Sequence, residues 1–294
     1  MPKQTHSGKV IAENAGLRII ECVLCHHAHL DPLPSGEDVT KLYGGNELYT
    51  NPEHSPPDWF QAEREEYSRG LWNARFANDY KLLCNNVHPM KTFGRFVVMD
   101  VGCGSGNFVD WGRQYRPDSS FVGIEPSSVA REHCPPGVTA TWPHTAYLYD
   151  TIRASLVLEH VLNPRQVLLK WQGKLCERGR LLVIVPNEIN SLRRRVGNEW
   201  WVVPRHVNYF SGASLRRLLL SSGFRVIYET ATMPMELFIL LGADYRKNPA
   251  LGRKLHRLRL QFETMFGAKA FGLYHVLYKR FGWGGALRFV AERV

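Results

Sequence analysis

A run of glycines behind an acidic residue is the first feature of this chain with chemical potential. Residues 96–106 read FVVMDVGCGSG, so an apolar stretch of buried-strand type ends in Asp100 and then in Gly102, Gly104 and Gly106. Glycine at alternate positions lets a backbone turn tightly and lets a ligand come closer than a side chain would permit. A second apolar run, SFVGIE at 120–125, ends in Glu125. In a doubly wound sheet two such strand ends are neighbours at the ligand edge, where a carboxylate accepts two hydrogen bonds from a ribose diol. The arrangement reads as an adenosine site. An ordinary strand-to-helix turn uses similar glycines, and a dinucleotide site would read G-x-G-x-x-G; the order here is D-x-G-x-G-x-G.

His206, in PRHVNYFS, is the candidate general base, because imidazole titrates near neutral pH and the segment follows the fifth strand-like run. The competing role is fixing that loop. Tyr209 is a further candidate on the acceptor side, and Arg205 adjoins it. Trp200 and Trp201 offer flat faces to a sugar, or packing against a loop. Cys22 and Cys25 supply two thiolates in C-x-x-C spacing, with His26, His27 and His29 beside them. Residues 1–21 hold no cysteine and only His6, so a degenerate knuckle without metal is expected.

These residues need elements to carry them. A length of 294 residues suits one enlarged α/β core with additions. Strand-like runs fall at 96–101, 120–125, 138–142 (weaker), 150–157, 180–186, 224–231 and 286–292, and a capped amphipathic helix is expected over 163–179. Strands spaced by helices imply a parallel sheet. Turn formers crowd the chain before residue 91, which marks residues 1–90 as an appendage with one helix at 59–84; the core is 91–232 with 286–294. The insert 233–285 then leaves a parallel strand and enters an antiparallel one, which puts it over the substrate pocket.

Charge concentrates near that insert. The chain carries +10, and residues 246–294 hold eleven Lys or Arg against Glu263 and Glu292. Arg253 and Arg257 on a helical cap would select an anionic acceptor. With 44% hydrophobic and 22% charged residues the chain is neither disordered nor fibrous. It shows no apolar run of the roughly 20 residues a membrane span needs, and six cysteines form no spaced framework, so a cytoplasmic protein is expected.

DVGCGSGNF with GIEPS, ASLVLEHVLNP and GRLLVIVPN resembles class I S-adenosylmethionine-dependent methyltransferases, in particular a subgroup that continues with a Trp-rich turn and P-x-H-x-x-x-F-S, here WWVVPRHVNYFS. The resemblance implies a Rossmann-like seven-stranded sheet with the last strand antiparallel, S-adenosyl-L-methionine as donor, and a small-molecule or glycan acceptor. It implies that Asp100 holds the donor's ammonium group, that Gly102, Cys103, Gly104 and Gly106 form the loop around its methionine portion, and that Glu125 binds the ribose. Leu156, Val157 and the residues to His160 would wall the site. The spacing around His206 is similar to that in sugar C-methyltransferases; O-methylation of a sugar-like or secondary-metabolite acceptor is favoured over C-methylation. WPHTAY at 142–147 lacks the family's usual acid near adenine. A nucleic-acid methyltransferase would carry an N-P-P-Y-like tetrapeptide where this chain has SLVLEHV, and a non-catalytic binding module fits poorly with the intact loop. A homo-oligomer is compatible with the sequence.

Overall fold

The computed structural model describes residues 6–43, 46–51, 58–84, 95–143, 148–197 and 200–294. The chain begins with three short antiparallel strands, β1 (Gly8–Asn14), β2 (Leu17–Cys22) and β3 (Ala28–Asp31). Four helices follow, α1 (Gly36–Tyr43), α2 (Glu47–Thr50), α3 (Trp59–Ser68) and α4 (Asn73–Cys84). The single helix expected over 59–84 is two, because Gly70 takes a φ of 69° between α3 and α4 and ends the first.

The central part alternates as the sequence predicts. In order come β4 (Phe96–Val101), α5 (Asn107–Tyr115), β5 (Ser119–Ile124), α6 (Ser128–Arg131), β6 (Tyr149–Ser155), α7 (Pro164–Gln172), β7 (Leu175–Pro186) and α8 (Ser191–Val196). The chain continues through β8 (Asn208–Tyr209), α9 (Gly212–Ser221), β9 (Phe224–Ala231), α10 (Glu236–Leu240), α11 (Pro249–Phe266), α12 (Ala268–Phe281) and β10 (Ala286–Arg293). Six strands form one sheet in the order β5-β4-β6-β7-β10-β9. The first four are parallel, and β10 runs antiparallel to both β7 and β9.

Period-two alternation decides which side chains meet. Met99, Ile152, Leu181, Val183 and Phe289 pack with Leu168, Trp171, Leu215 and Leu219 of α7 and α9. Val98, Leu182, Ile184 and Val290 pack with Phe76, Tyr80 and Leu83 of α4 and Phe108 and Trp111 of α5. Both faces are covered, which is why the strands read as nearly unbroken apolar runs. The sequence boundary at residue 90 therefore cuts across the packing, since α4 is a helix of the main core.

Three further expectations change. Residues 138–142 make only one parallel bridge, Ile124 to Thr139, so the described sheet has six strands and not seven. Thr139, Ala140 and Thr141 are exposed and Pro143 lacks an N–H, leaving little to hold a strand there. The helix expected over 163–179 stops at its cap Gly173, and β7 already begins at Leu175; its start is as read, with the Asn163 side chain accepting the Gln166 N–H. Finally, β8 pairs with β3 and so joins β1-β2-β3 in a second sheet, tying the core stretch to the appendage.

In the insert, α10 lies against α8, α11 beside α4 and α12 against β9. Buried Arg75 grips Glu263 with Nε at 3.0 Å and Nη2 at 2.6 Å, joining α4 to α11. Much of the late basic excess is matched by earlier acids: Arg288 with Asp79, Arg257 with Glu65 and Glu66, Lys279 with Glu229. Among the described residues no helix is long and apolar enough to cross a membrane.

Candidate active site

The ends of β4 and β5 build one half of the site. Gly102, Gly104 and Gly106 all take positive φ, at 65°, 57° and 74°, a region costly for residues with a Cβ. A Cβ at Gly102 would stand 2.7 Å from Val157 Cγ2, and one at Gly106 would stand 2.5 Å from Pro135 Cδ. At Gly104 the nearest atom would be the Tyr49 hydroxyl, 3.9 Å away. Two glycines thus permit packing, and the third leaves space. The Cys103 thiol is held protonated, pushed up by its hydrogen bond with Cys134 and by burial.

Glu125 is buried with its two oxygens pointing at backbone donors. Oε2 accepts from Gly104 N–H and Oε1 from Ser127 N–H, each at 2.9 Å. Each oxygen has lone-pair capacity for a further donor. Burial still raises the carboxyl's pKa above its ordinary value.

Asp100 is held by side chains from within the core. It is buried opposite Gly123 and Arg153 in the register, and its Oδ1 accepts from Arg153 Nη1 at 2.9 Å. Arg153 also reaches Asp79 at 3.1 Å, and Asp79 pairs with buried Arg288. Two acids and two guanidinia therefore neutralise one another beneath the glycine turn, while Asp100 Oδ2 has no hydrogen-bond partner among the described residues.

Helices α2 and α3 cover this half, a contact between segments too far apart in the chain to be read from local pattern. The Asn46 side chain accepts from Ser127 Oγ at 2.7 Å and donates to Ser128 Oγ at 3.0 Å. Ser105 Oγ donates to Glu63 at 2.7 Å, and Tyr49 packs on Phe60 with ring centroids 5.0 Å apart.

The ends of β6 and β7 build the other half. Leu156 is exposed at a φ of 58°, a conformation rare for a branched side chain, and Val157 lies against Gly102. His160 follows, its N–H bonded to Val157 O at 3.0 Å and its Nδ1 to Arg205 O at 2.9 Å. Burial, then the neighbouring His206, pushes His160 down to about 3. The His206 ring lies 5.2 Å from that of His160, and its Nδ1 bonds Glu188 Oε1 at 2.7 Å. Glu188 is buried just past β7. Glu159 completes the cluster: its carboxyl is buried with neither oxygen hydrogen-bonded among the described residues, and burial raises its pKa well above the usual range.

Tyr209 is fully buried, and its hydroxyl donates to Val203 O at 3.0 Å and accepts from Val203 N–H at 3.1 Å, so it shapes the loop. Trp201 packs on Tyr209 at 5.6 Å in the small sheet's core. Trp200 lies under Arg193 at 5.2 Å and edge-on to Tyr245. Arg205 presents its carbonyl to His160 and to the Tyr43 hydroxyl. Arg257 is engaged by Glu65 and Glu66, and Arg253 is exposed without an ion-pair partner among the described residues. WPHTAY falls largely outside the described residues.

A family model described as a methyltransferase domain matches residues 56–229. The chain belongs to this methyltransferase family. It is an enzyme whose donor is S-adenosylmethionine. Gly104 is open on the side facing Glu125, whose oxygens keep lone-pair capacity for further donors. Among solved structures, the plantazolicin methyltransferase BpumL, in complex with a monoazolic desmethylPZN analog and SAH, is similar at a TM-score of 0.50 and 15% identity, over 87% of this chain and 96% of that one. A SAM dependent methyltransferase from Archaeoglobus fulgidus is similar at a TM-score of 0.49 and 16% identity, over 80% of this methyltransferase and 100% of that chain. No curated protein matches the chain by sequence.

Proposed function

We propose that this methyltransferase transfers a methyl group to an oxygen of a small-molecule acceptor, sugar-like or a secondary metabolite, with His206 as general base. The observation that carries the reading is the 2.7 Å bond from Glu188 to His206 Nδ1. A carboxylate on one ring nitrogen fixes the tautomer, leaves Nε2 as the proton acceptor, and stabilises the imidazolium that forms. The contacts Gly102 to Val157, Val157 to His160 and His160 to His206 link that base to the glycine loop within a few side chains.

S-adenosylmethionine supplies a methyl group already activated by its sulfonium. The protein's part is then positioning and proton removal. Glu125 would hold the ribose, and Gly104 the space beside it. Neutral His160 and protonated Glu159 keep the pocket free of competing charge around His206. The solved BpumL complex with a monoazolic desmethylPZN analog supports a small acceptor by analogy of fold.

The test is to incubate the enzyme with donor labelled in its methyl group and a cell extract separated into small-molecule, nucleic-acid and protein fractions. Label is expected in the small-molecule fraction and lost with His206→Ala. Label confined to nucleic acid or protein would overturn the reading.

A further inference from the structure

The appendage, read from sequence as half a metal knuckle, contains the missing half. β1 pairs with β2 so that Gly8 opposes Cys22, and Val23 N–H bonds Ser7 O at 3.0 Å. That register swings His6 onto the turn holding Cys22 and Cys25. β3 returns beside β2 and brings His29 to the same point. His6 Nδ1 stands 3.1 Å from His29 Nε2, 3.5 Å from Cys22 Sγ and 3.3 Å from Cys25 Sγ, and all four atoms lie within 4.8 Å of one another.

We propose that His6, Cys22, Cys25 and His29 form a tetrahedral zinc site that fixes the small sheet beneath the catalytic loop. An ion about 2.3 Å from sulfur and about 2.0–2.1 Å from nitrogen, at tetrahedral angles, separates its nitrogens by about 3.3 Å and each nitrogen from sulfur by about 3.6 Å. The three spacings from His6 match that cage to within a few tenths of an ångström, and the remaining atom pairs lie within 4.8 Å. The surroundings agree. His29 Nδ1–H donates to Leu30 O at 2.7 Å, which leaves Nε2 as the bare lone pair a metal needs. Cys25 N–H points at Cys22 Sγ at 3.4 Å, which closes the turn that carries both sulfurs. Both cysteines are free thiols, and Cys22 and His29 are buried. Two nitrogens, two sulfurs and no carboxylate select a borderline-soft cation over magnesium or calcium. His26 and His27 lie outside the set: His27 bonds Cys25 O and Asn208 instead.

The site's consequence for the enzyme rests on the proposed role of His206. His27 Nε2 bonds Asn208 Oδ1 at 3.0 Å, and Asn208 Nδ2 donates to Leu158 O and Val161 O at 3.1 and 2.6 Å. Asn208 is two residues beyond His206, so an ion holding the β2–β3 turn holds the loop that presents the base.

Elemental analysis of the full chain, purified without chelators or an affinity tag that binds metal, tests the site independently of any turnover. One zinc per chain is expected, retained in His26→Asn and lost in Cys22→Ser/Cys25→Ser. If the double variant does not fold, exchange of wild-type protein into cobalt(II) decides: tetrahedral visible bands and a thiolate-to-cobalt charge-transfer band are expected. Protein that takes up no zinc from zinc chloride, a Cys22–Cys25 disulfide in the freshly isolated chain, or an octahedral cobalt spectrum would overturn the proposal. Zinc bound at full occupancy with a fully active His206→Ala variant would leave the site standing and remove the reading of the base.

Discussion

The two halves of the active site solve opposite problems. At the ends of β4 and β5 each carboxylate is already engaged within the protein: Glu125 has two backbone donors, and Asp100 has Arg153 on one oxygen, the other being without a partner among the described residues. At the ends of β6 and β7, Glu159 has two bare buried oxygens, Glu188 has one, and two imidazoles lie 5.2 Å apart. Under the proposed function the first is the donor half, a mould made largely of backbone, and the second the acceptor half, a group of titratable side chains.

That contrast breaks or sharpens at defined positions. The largest effect is expected beneath the donor half, where Arg153→Leu strands Asp100 in the core and leaves Asp79 with Arg288 alone; a loss of about 3–5 kcal/mol in urea unfolding is expected, and a near-wild-type midpoint would mean the mould needs no charge beneath it. His206→Ala should lower turnover by about 10² or more with donor affinity unchanged in calorimetry; a parallel loss of donor binding would show that the halves are not separable. Glu125→Ala should do the reverse, weakening donor binding by about 1.5–3 kcal/mol, and unchanged affinity would remove the ribose contact.

A smaller effect lies in pH. His160 is held neutral in the folded chain, with its pKa lowered to about 3, whereas in the unfolded chain it titrates near 6.5. Below that value the unfolded state takes up a proton that the folded state refuses, so stability falls as pH drops from 6.5 towards 3. Thermal melts between pH 7 and 5 should fall less steeply for His160→Asn, and equal slopes would place the acid sensitivity elsewhere. Least of all, Arg257→Glu should change stability by no more than about 1 kcal/mol and leave acceptor KM unaltered; a raised KM would return that helix to the substrate.

The donor half was legible because its signals are local. Asp100, the three glycines and Glu125 lie within two strand–turn units, and alternation fixes where each strand ends. Glu188 carries the same signal, an acid just past a strand in VPNE, but its partner His206 lies 18 residues on and only the fold joins them. Other features needed contacts distant in sequence. His6 meets Cys22 only through the register of β1 on β2, Asn46 meets Ser127 from a segment that reads as turns, and the loss of a seventh strand depends on side chains finding no core. Charge misled for a related reason: the arginines of α11 were counted along the chain, and Glu65 and Glu66 neutralise one of them from almost two hundred residues earlier.

The pairing of β3 with β8 has a consequence in time. His27 and Asn208 are 181 positions apart, so a chain emerging from the ribosome makes its first hairpin early and must hold it open-edged until two-thirds of the protein has followed. Closing a loop of that length is slow, and an unpaired edge is exposed meanwhile. The loop that runs into β8 gains the support of the small sheet only when β8 reaches that edge. The strand of two residues acts as the latch of synthesis, and the oldest part of the chain waits for it.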